Sequence, residues 1–352
     1  MSKTATGNYL EDFRVGQVIE HATPRTVTDG DTALYIALTG SRFAVHCADA
    51  FAKNIGFERA PIDDLLTFHI VFGKTVPDIS LNAVANLGYA DGRFTNAVYA
   101  GATLSATSEV IGLKENSNKK TGVVYVRTTG RNAYGEEVLS YCRWVMVKKR
   151  DEAASIAESQ VPELPDAVPA SALTVPPHLN ARTFDPAASG SPFFFEDYEI
   201  GEKIDHVDGM TVEEAEHRMA TRLYQNTAKV HFNNHTERDG RFGTCIVYGG
   251  VVISIAKALS FNGLGNALRV AAINGGTHCN PCFAGDTIYA WSEVLDKAEI
   301  AGHRDLGAVR LRLVAAKDTP CGDYPYKDDA GKYRPDVLLD FDYWALLPRK
   351  LG

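Results

Sequence analysis

Apolar positions predict one long buried helix in each half of the chain, accompanied by strands. The apolar runs from Ile62 to Phe72 and from Val251 to Leu259 have the length and continuity of buried helices. Val123 to Thr128 and Val138 to Val147 are rich in β-branched residues, and Val309 to Leu313 alternates with a period of two. The simplest packing wraps an antiparallel sheet around one long helix in each half, which is an α+β fold.

Polar residues at their starts predict two shorter helices. Thr28 precedes the run from Thr32 to Leu38 and is a good N-cap residue. Thr211 stands three residues before Glu214, which is the spacing of a capping box ahead of a helix from Ala215 to Tyr224. The order of elements is therefore similar in the two halves.

The two halves also repeat each other in sequence. The segment from Glu11 to His21 matches the segment from Glu196 to His206 at an offset of 185 residues, and this offset places His46 on His231. A second pair of segments matches at an offset of 184, namely Tyr99 to Leu104 and Phe283 to Ile288. A register that persists over this length indicates two homologous halves.

Residues 151–192 have the composition of a connector. They contain seven of the chain's 15 prolines. Proline lacks an amide donor and resists both helix and sheet, so an extended segment is expected. We therefore predict an N-terminal repeat over residues 1–150, a proline-rich linker over 151–192 and a C-terminal repeat over 193–352.

Composition and charge exclude several function classes. The chain is 45% hydrophobic and carries 36 basic against 44 acidic residues, a net charge of −8. Nucleic acids and anionic membranes both need a basic surface, so neither is expected as a partner. The most apolar stretch, Cys245 to Phe261, is interrupted by Lys257 and is short for a bilayer span. The six cysteines lack dense spacing, which suits reduced thiols and a cytoplasmic protein.

One short motif is similar to a metal or redox site. The segment from His278 to Cys282 contains a single Cys-x-x-Cys pair, and four-ligand zinc would need a second pair. Phosphate-binding loops and serine-nucleophile elbows are also missing from the sequence. We therefore predict neither a metal nor a cofactor, and we interpret the segment as the end of a strand.

Five segments together carry a resemblance to a known family: Leu38 to His46, Tyr99 to Leu104, Arg222 to His231, Arg241 to Gly250 and Phe283 to Ile288. The chain resembles the MaoC-like hydratases over both halves, and the resemblance implies a double hot-dog fold, in which a curved sheet wraps each long helix. The sequence around Arg59 to Leu66 is similar to the members that act on mesaconyl-CoA (2-methylfumaryl-CoA). That similarity implies reversible addition of water to give β-methylmalyl-CoA. The implied partner is an acyl-CoA substrate, and further association into a homo-oligomer is left open.

The family pattern is an aspartate, a histidine five residues later and a glycine amide at a helix N-terminus. Adding water to an enoyl thioester needs a base, an acid and donors for the enolate oxygen, and a helix start supplies such donors. By position the resemblance assigns His231 and Gly249 to this pattern in the second half. In the first half the histidine is His46, but the glycine position holds Asp64 or Leu65. We therefore expect the second half to be the main catalytic half and the first half to shape the acyl-CoA tunnel.

The aspartate of the family is missing from both halves. Asn226 stands five residues before His231, and Ser41 stands five residues before His46. A carboxamide or a hydroxyl can orient water but cannot carry a proton near neutral pH. Three explanations stay open: His231 serves as both base and acid, the activity has been lost, or another carboxylate substitutes, the candidates being Asp63, Asp64, Asp239 and Glu237.

A free carboxylate on the substrate would be matched by a cation. Arginine suits this role because its planar guanidinium pairs with a carboxylate through two hydrogen bonds. Arg42 lies within the first-half motif, and Arg238 and Arg241 precede the second-half glycines. The predicted substrate-binding residues are Arg42, Asp63, Asp64 and Arg241.

Two other functions fit the same residues. A thioesterase with this fold would also need an oxyanion donor, but it would release free thiol instead of adding water. An acyl-CoA-binding protein without activity would explain why both aspartates are missing. One fold hosts several functions, so the fold alone does not decide among them.

Overall fold

A computed structural model describes residues 3–156 and 159–350 of the chain. In these residues ten antiparallel strands form one sheet. The strands are β1 Val18–Thr26, β2 Ala83–Phe94, β3 Thr103–Glu115, β4 Thr121–Arg131, β5 Glu137–Lys148, β6 Lys203–Thr211, β7 Arg269–His278, β8 Thr287–Glu299, β9 Leu306–Lys317 and β10 Val337–Pro348.

The strand order shows the repeat in three dimensions. It runs β1-β3-β4-β5-β2-β7-β10-β9-β8-β6, so the first five strands and the last five follow the same order outward from the centre. The halves join where β2 pairs with β7, with Tyr89 opposite Gly276 and Ala90 opposite Gly275. The continuous sheet therefore brings the inner strands of both halves next to each other.

The helices lie against this sheet. They are α1 Asp29–Thr39, α2 Ala44–Cys47, α3 Asp49–Asn54, α4 Asp64–Thr75, α5 Pro186–Ser189, α6 Glu214–Leu223, α7 Asn234–Glu237, α8 Gly249–Leu259 and α9 Phe261–Leu264. Every residue of α4 is buried, and so is every residue of α8 after Gly249. A helix that is apolar on all sides needs such a position, because burying its side chains is the main source of its stability. The predicted α+β class and double hot-dog architecture are confirmed.

The two long helices and the strands were predicted well, but one cap was not. Thr28 accepts a hydrogen bond from the amide of Asp31, whose carboxylate in turn accepts from the amide of Thr28, so the predicted cap of α1 is confirmed. Thr211 instead ends β6, where it pairs with Thr287. Helix α6 begins at Glu214 without a side-chain cap. The capping box was wrong because strand pairing extends to Thr211.

The proline-rich segment is not extended throughout as expected, because its described residues include the short helix α5 and the 3-10 turns Ala170–Ala172 and Ala181–Thr183. The amide of Val168 donates to Asn274 Oδ1 at 2.9 Å, and the carbonyl of Val168 accepts from Trp344 Nε1 at 3.0 Å. These contacts fasten the segment to β7 and β10. The proposed limits of the two repeats and the linker stay a prediction.

The structure also tests whether the chain could span a membrane or hold a metal ion, the two questions raised by the apolar stretch from Cys245 to Phe261 and the motif from His278 to Cys282. Across residues 3–156 and 159–350, no helix has the length and apolar character needed to span a membrane. The same residues include no cluster of three His, Cys, Asp or Glu side chains that could hold a metal ion.

Candidate active site

His231 lies on the loop between α6 and α8, and a hydrogen bond to its ring determines which nitrogen carries the proton. Nδ1 lies 3.0 Å from the carbonyl oxygen of Ile246. A carbonyl only accepts, so Nδ1 must carry the proton, which leaves Nε2 with a free lone pair. Burial, together with the nearby rings of His217 and His278, lowers the pKa of His231 to about 4. The imidazole is therefore neutral at physiological pH and can act as a base.

His46 repeats this arrangement in the first half. Its Nδ1 lies 3.0 Å from the carbonyl oxygen of Pro61, 15 residues further on, and the same spacing separates His231 from Ile246. The ring of His46 is buried. The duplicated loops therefore hold both imidazoles in the same tautomer, and the two sites differ in what surrounds the rings.

The N-terminus of α8 provides backbone donors beside His231. Tyr248 is the N-cap of α8, and its ring centroid lies 5.4 Å from that of His231. No side chain of the described residues caps the first amides of this helix. Free amides and the positive end of the helix dipole suit an oxyanion.

Glycine is needed at the start of α8 because of a neighbouring ring. A Cβ atom on Gly249 would lie 2.2 Å from Cε1 of His278. The glycine therefore lets the imidazole of His278 lie directly against the helix start. A bulkier residue would displace that ring or the helix.

The corresponding helix start in the first half is already occupied. Asp63 caps α4 by accepting a hydrogen bond from the amide of Leu65 at 2.8 Å. Asp64, at the position of Gly249, accepts from Arg269 Nη2 at 2.7 Å and from the amide of Val270 at 2.9 Å. Burial raises the pKa of Asp64. A carboxylate at this position repels an oxyanion, so this half lacks the donor site that the second half has.

Asn226 holds the loop that carries His231. Its side chain is buried, and its Oδ1 accepts a hydrogen bond from the amide of Ala228 at 2.9 Å. This is a local turn that an aspartate could also make. Ser41, the counterpart in the first half, has a buried hydroxyl without a partner among the described residues.

None of the candidate carboxylates is brought to His231. Asp63 and Asp64 are bound at the start of α4, as described above. Glu237 accepts from Thr236 Oγ1 at 3.4 Å, and Asp239 is exposed. The titratable side chains that act on His231 are two histidines, His217 and His278.

The candidate arginines lie at the surface. Arg42 is exposed and stacks over the ring of Phe261 at 4.7 Å, and Arg241 is exposed over the ring of Phe242 at 4.9 Å. Arg238 is exposed as well. No contact in the described part of the chain joins these three arginines to His231, so their predicted role in binding the substrate has no structural support.

Two histidines that the sequence analysis did not place in the site lie beside it. His278 ends β7, its Nε2 lies 3.0 Å from Tyr89 Oη, and burial lowers its pKa to about 4. His69 lies within α4, is bonded through Nε2 to Ser254 Oγ at 2.9 Å, and has a pKa lowered by burial to about 3. The sequence feature that could have revealed these two histidines is the glycine pair at residues 249 and 250. Both imidazole rings pack where these residues lack a side chain.

Two surface clefts lie away from this site. One, of about 400 Å³, is lined by five residues between Pro186 and Pro192, and the other, of about 250 Å³, is lined by residues that include Arg182, Arg349 and Lys350. Neither contains a candidate catalytic residue.

Two wrapped helices on one continuous sheet, with an imidazole beside the uncapped start of the second, define a MaoC-like double hot-dog protein. The solved structure of a MaoC domain protein dehydratase from Chloroflexus aurantiacus J-10-fl is 63% identical, with a TM-score of 0.97 over 100% of both chains. A double hot-dog protein from Mycobacterium tuberculosis has the same fold at 21% identity, with a TM-score of 0.73 over 97% of this chain and 98% of its own.

Sequence comparison identifies the family within this class. Residues 2–324 match the family model described as mesaconyl-CoA hydratase. A β-methylmalyl-CoA dehydratase from Chloroflexus aurantiacus is 63% identical over 99% of both chains. A mesaconyl-CoA hydratase from Cereibacter sphaeroides is 58% identical over 99% of this chain and 100% of its own. The chain belongs to the mesaconyl-CoA hydratase family, whose members are carbon–oxygen lyases.

Proposed function

We propose that this protein catalyses the reversible hydration of mesaconyl-CoA to β-methylmalyl-CoA in its second half. The observation that carries the assignment of the site is the neutral imidazole of His231 beside the uncapped start of α8. Family membership and the names of the two relatives support the choice of substrate. The partner is accordingly an acyl-CoA thioester.

His231 and the start of α8 have separate roles in the proposed reaction: the histidine transfers the proton, and the helix start stabilises the negative charge. Nε2 of His231 takes a proton from water, and the water oxygen bonds to C3 of the enoyl group. The electrons of the double bond move onto the thioester oxygen, and the free amides of Gly249 and Gly250 stabilise that charge. The imidazolium then returns the proton to C2, which restores the thioester carbonyl and completes the addition of one water molecule.

Because the aspartate of the family pattern is missing, we assign both proton transfers to His231. Asn226 uses its carboxamide oxygen to hold the loop, and an amide cannot exchange a proton near neutral pH. Its Nδ2 has no acceptor among the described residues and is free to bind the attacking water. One imidazole can act first as base and then as acid, because the proton that it accepts is the proton that it returns.

One experiment separates this function from the two alternatives. Purified protein is mixed with mesaconyl-CoA while the absorbance of the conjugated enoyl thioester and the free thiol are measured together. We expect the absorbance to fall without release of thiol. Release of thiol at the rate of the absorbance change would indicate a thioesterase, and no change in either signal would indicate a binding protein.

A further inference from the structure

Arg143 is a buried cation without an anion. It lies on β5 with no exposed surface, and its Nη2 donates to Thr75 Oγ1 at 2.7 Å and to Ser80 Oγ at 3.4 Å. Its Nε and Nη1 are buried without a partner among the described residues. Asp78, close to Ser80 in sequence, is bound instead to His21 Nδ1 at 2.7 Å. Buried charges are normally paired, so this guanidinium is expected to bind an anion that comes from outside the chain.

Phenolic hydroxyls surround the guanidinium. Tyr89, Tyr141 and Tyr248 act on Arg143, and Arg143 in turn acts on His21. Burial raises the pKa of Tyr89 and of Tyr248, so both remain neutral. Tyr248 Oη is itself buried without a partner among the described residues. Neutral phenols cannot compensate a guanidinium, but they can donate hydrogen bonds to an anion that does.

Tyr248 links this position to the proposed catalytic histidine. Its ring centroid lies 5.4 Å from that of His231 and 5.7 Å from that of Phe72. The guanidinium carbon of Arg143 lies 4.2 Å from the centroid of Phe72. The same tyrosine therefore borders both the base and the unpaired cation, which places the cation close to the reacting end of an acyl chain.

The repeat shows that the fold does not require an arginine here. Trp144 and Trp344 set an offset of 200 residues between β5 and β10, so Tyr343 is the counterpart of Arg143. The buried Arg269 is different again, because its guanidinium is paired with Asp64 at 2.7 Å. Of these two buried arginines, the one without a carboxylate partner from the described chain is therefore the one on the His231 side.

We propose that Arg143, together with the hydroxyl of Tyr248, binds the free carboxylate of a dicarboxylic acyl-CoA and so selects it over acyl chains that end in a methyl group. The inference rests on the proposed function, because mesaconyl-CoA carries a carboxylate on C3, the carbon that receives the hydroxyl. A guanidinium and a hydroxyl supply the donors that a carboxylate needs. Binding this group would also hold C3 in a fixed position beside His231.

The test compares two substrates that differ only at this group. Hydration of mesaconyl-CoA and of 2-methylcrotonyl-CoA, in which a methyl group replaces the carboxylate, is followed by enoyl absorbance for the wild type and for Arg143→Met. We expect kcat/KM for mesaconyl-CoA to fall by about 100- to 1,000-fold, as for the loss of one partner of a buried charge pair. The value for 2-methylcrotonyl-CoA should stay the same or rise. An equal loss on both substrates would assign Arg143 a structural role only and overturn the proposal.

A second, more conservative variant keeps the proposal testable if Arg143→Met does not fold. Tyr248→Phe keeps the ring and removes a hydroxyl that has no partner in the described chain, so the fold should tolerate it. We expect a loss of about 10-fold in kcat/KM on mesaconyl-CoA alone, which is the usual effect of one hydrogen bond to a charged group. No selective loss in this variant would contradict the proposal.

A binding measurement separates this inference from the proposed function. Calorimetry is used with two saturated thioesters that cannot be hydrated, 2-methylsuccinyl-CoA and 2-methylbutyryl-CoA. The wild type should prefer the charged thioester by at least 10-fold, and Arg143→Met should lose that preference. If the wild type hydrates neither enoyl-CoA, the proposed function fails, whereas an absent preference in binding overturns the role of Arg143.

Discussion

At the scale of single residues, the two duplicated histidines share one tautomer and differ in what lies beside them. His46 and His231 donate through Nδ1 to a carbonyl at the same distance of 3.0 Å. What differs is the group at the start of the adjoining long helix, which is Asp64 in one half and Gly249 in the other. The group at the helix start, and not the tautomer of the imidazole, therefore distinguishes the halves.

The first prediction compares these two histidines. His231→Ala should lower kcat on mesaconyl-CoA by about 10²–10⁴, the range for losing a general acid–base group. His46→Ala should cost much less, because the helix start beside it is occupied by a carboxylate. Enoyl absorbance gives the rates, and circular dichroism shows whether each variant is folded. A larger loss for His46→Ala would move the site to the first half.

The second prediction concerns the missing aspartate. Asn226→Asp should remain folded, because a carboxylate oxygen can accept the same hydrogen bond from the amide of Ala228. The added negative charge should raise the pKa of His231 from its value of about 4. The acid limb of the kcat/KM profile should therefore move to higher pH.

A matched control is available in the first half for this change. Ser41→Asp introduces the same carboxylate five residues before His46 and should leave the pH profile of activity unaltered. An acid limb that stays in place in Asn226→Asp would show that residue 226 does not act on the catalytic base.

At the scale of helices and strands, periodicity and the repeat predicted more than local polar signals did. The apolar runs located α4 and α8 to within a few residues, because a helix buried on all sides is largely apolar. The sequence at Thr211 fits a capping box, yet Thr211 lies in β6 and pairs with Thr287. A short polar motif is weaker evidence than a long apolar run, since several local structures can satisfy it.

Part of the site depends on contacts that the sequence does not contain. The sequence showed a glycine at the start of α8 and an aspartate at the start of α4, but not that Arg269 of the other half pairs with Asp64. Arg143 was missed for the same reason. Its position within a strand is visible in the sequence, whereas its burial and the absence of a carboxylate partner follow from packing between α4, β5 and the start of α8.

The third prediction tests the start of α8. Gly249→Ala should lower kcat/KM by about 100-fold, because the new Cβ would lie 2.2 Å from the ring of His278 and the donor site would shift. Gly30→Ala is the control, since Gly30 lies in the first turn of α1 and a Cβ there meets only Thr28 Oγ1, at 3.5 Å. Steady-state kinetics give kcat/KM for the two variants. An equally small loss of kcat/KM in both would argue against a role for the helix start.

At the scale of the whole molecule, duplication allowed the two halves to specialise within one sheet. The second half keeps free helix amides beside its histidine, while α4 and β5 of the first half contribute His69, Phe72 and Arg143 to the surroundings of that site. The first half thus packs against the proposed site, and its expected role in shaping an acyl-CoA tunnel stays a prediction. The result is an interior that holds several imidazoles in their neutral form.

The fourth prediction follows from those buried imidazoles. Burial lowers the pKa of His69 to about 3 and the pKa values of His206, His231 and His278 to about 4, against 6.5 for an exposed histidine. Between pH 6.5 and about 4 the unfolded chain therefore binds more protons than the folded chain at these four sites. Stability rises with pH wherever the unfolded state holds more protons, so these groups make the free energy of unfolding fall as the pH drops through this window.

Thermal unfolding across this pH range measures the effect. The melting temperature should fall by about 10 °C or more between pH 7 and pH 5, since a change of 1 kcal/mol moves the melting temperature of a large domain by a few degrees. His206→Gln offers a check away from the proposed site, because His206 is buried between Asn262 and Ser292 and plays no part in the reaction. The variant should show a shallower pH dependence with kcat unchanged. An unaltered slope would mean that the buried imidazoles do not account for the acid sensitivity.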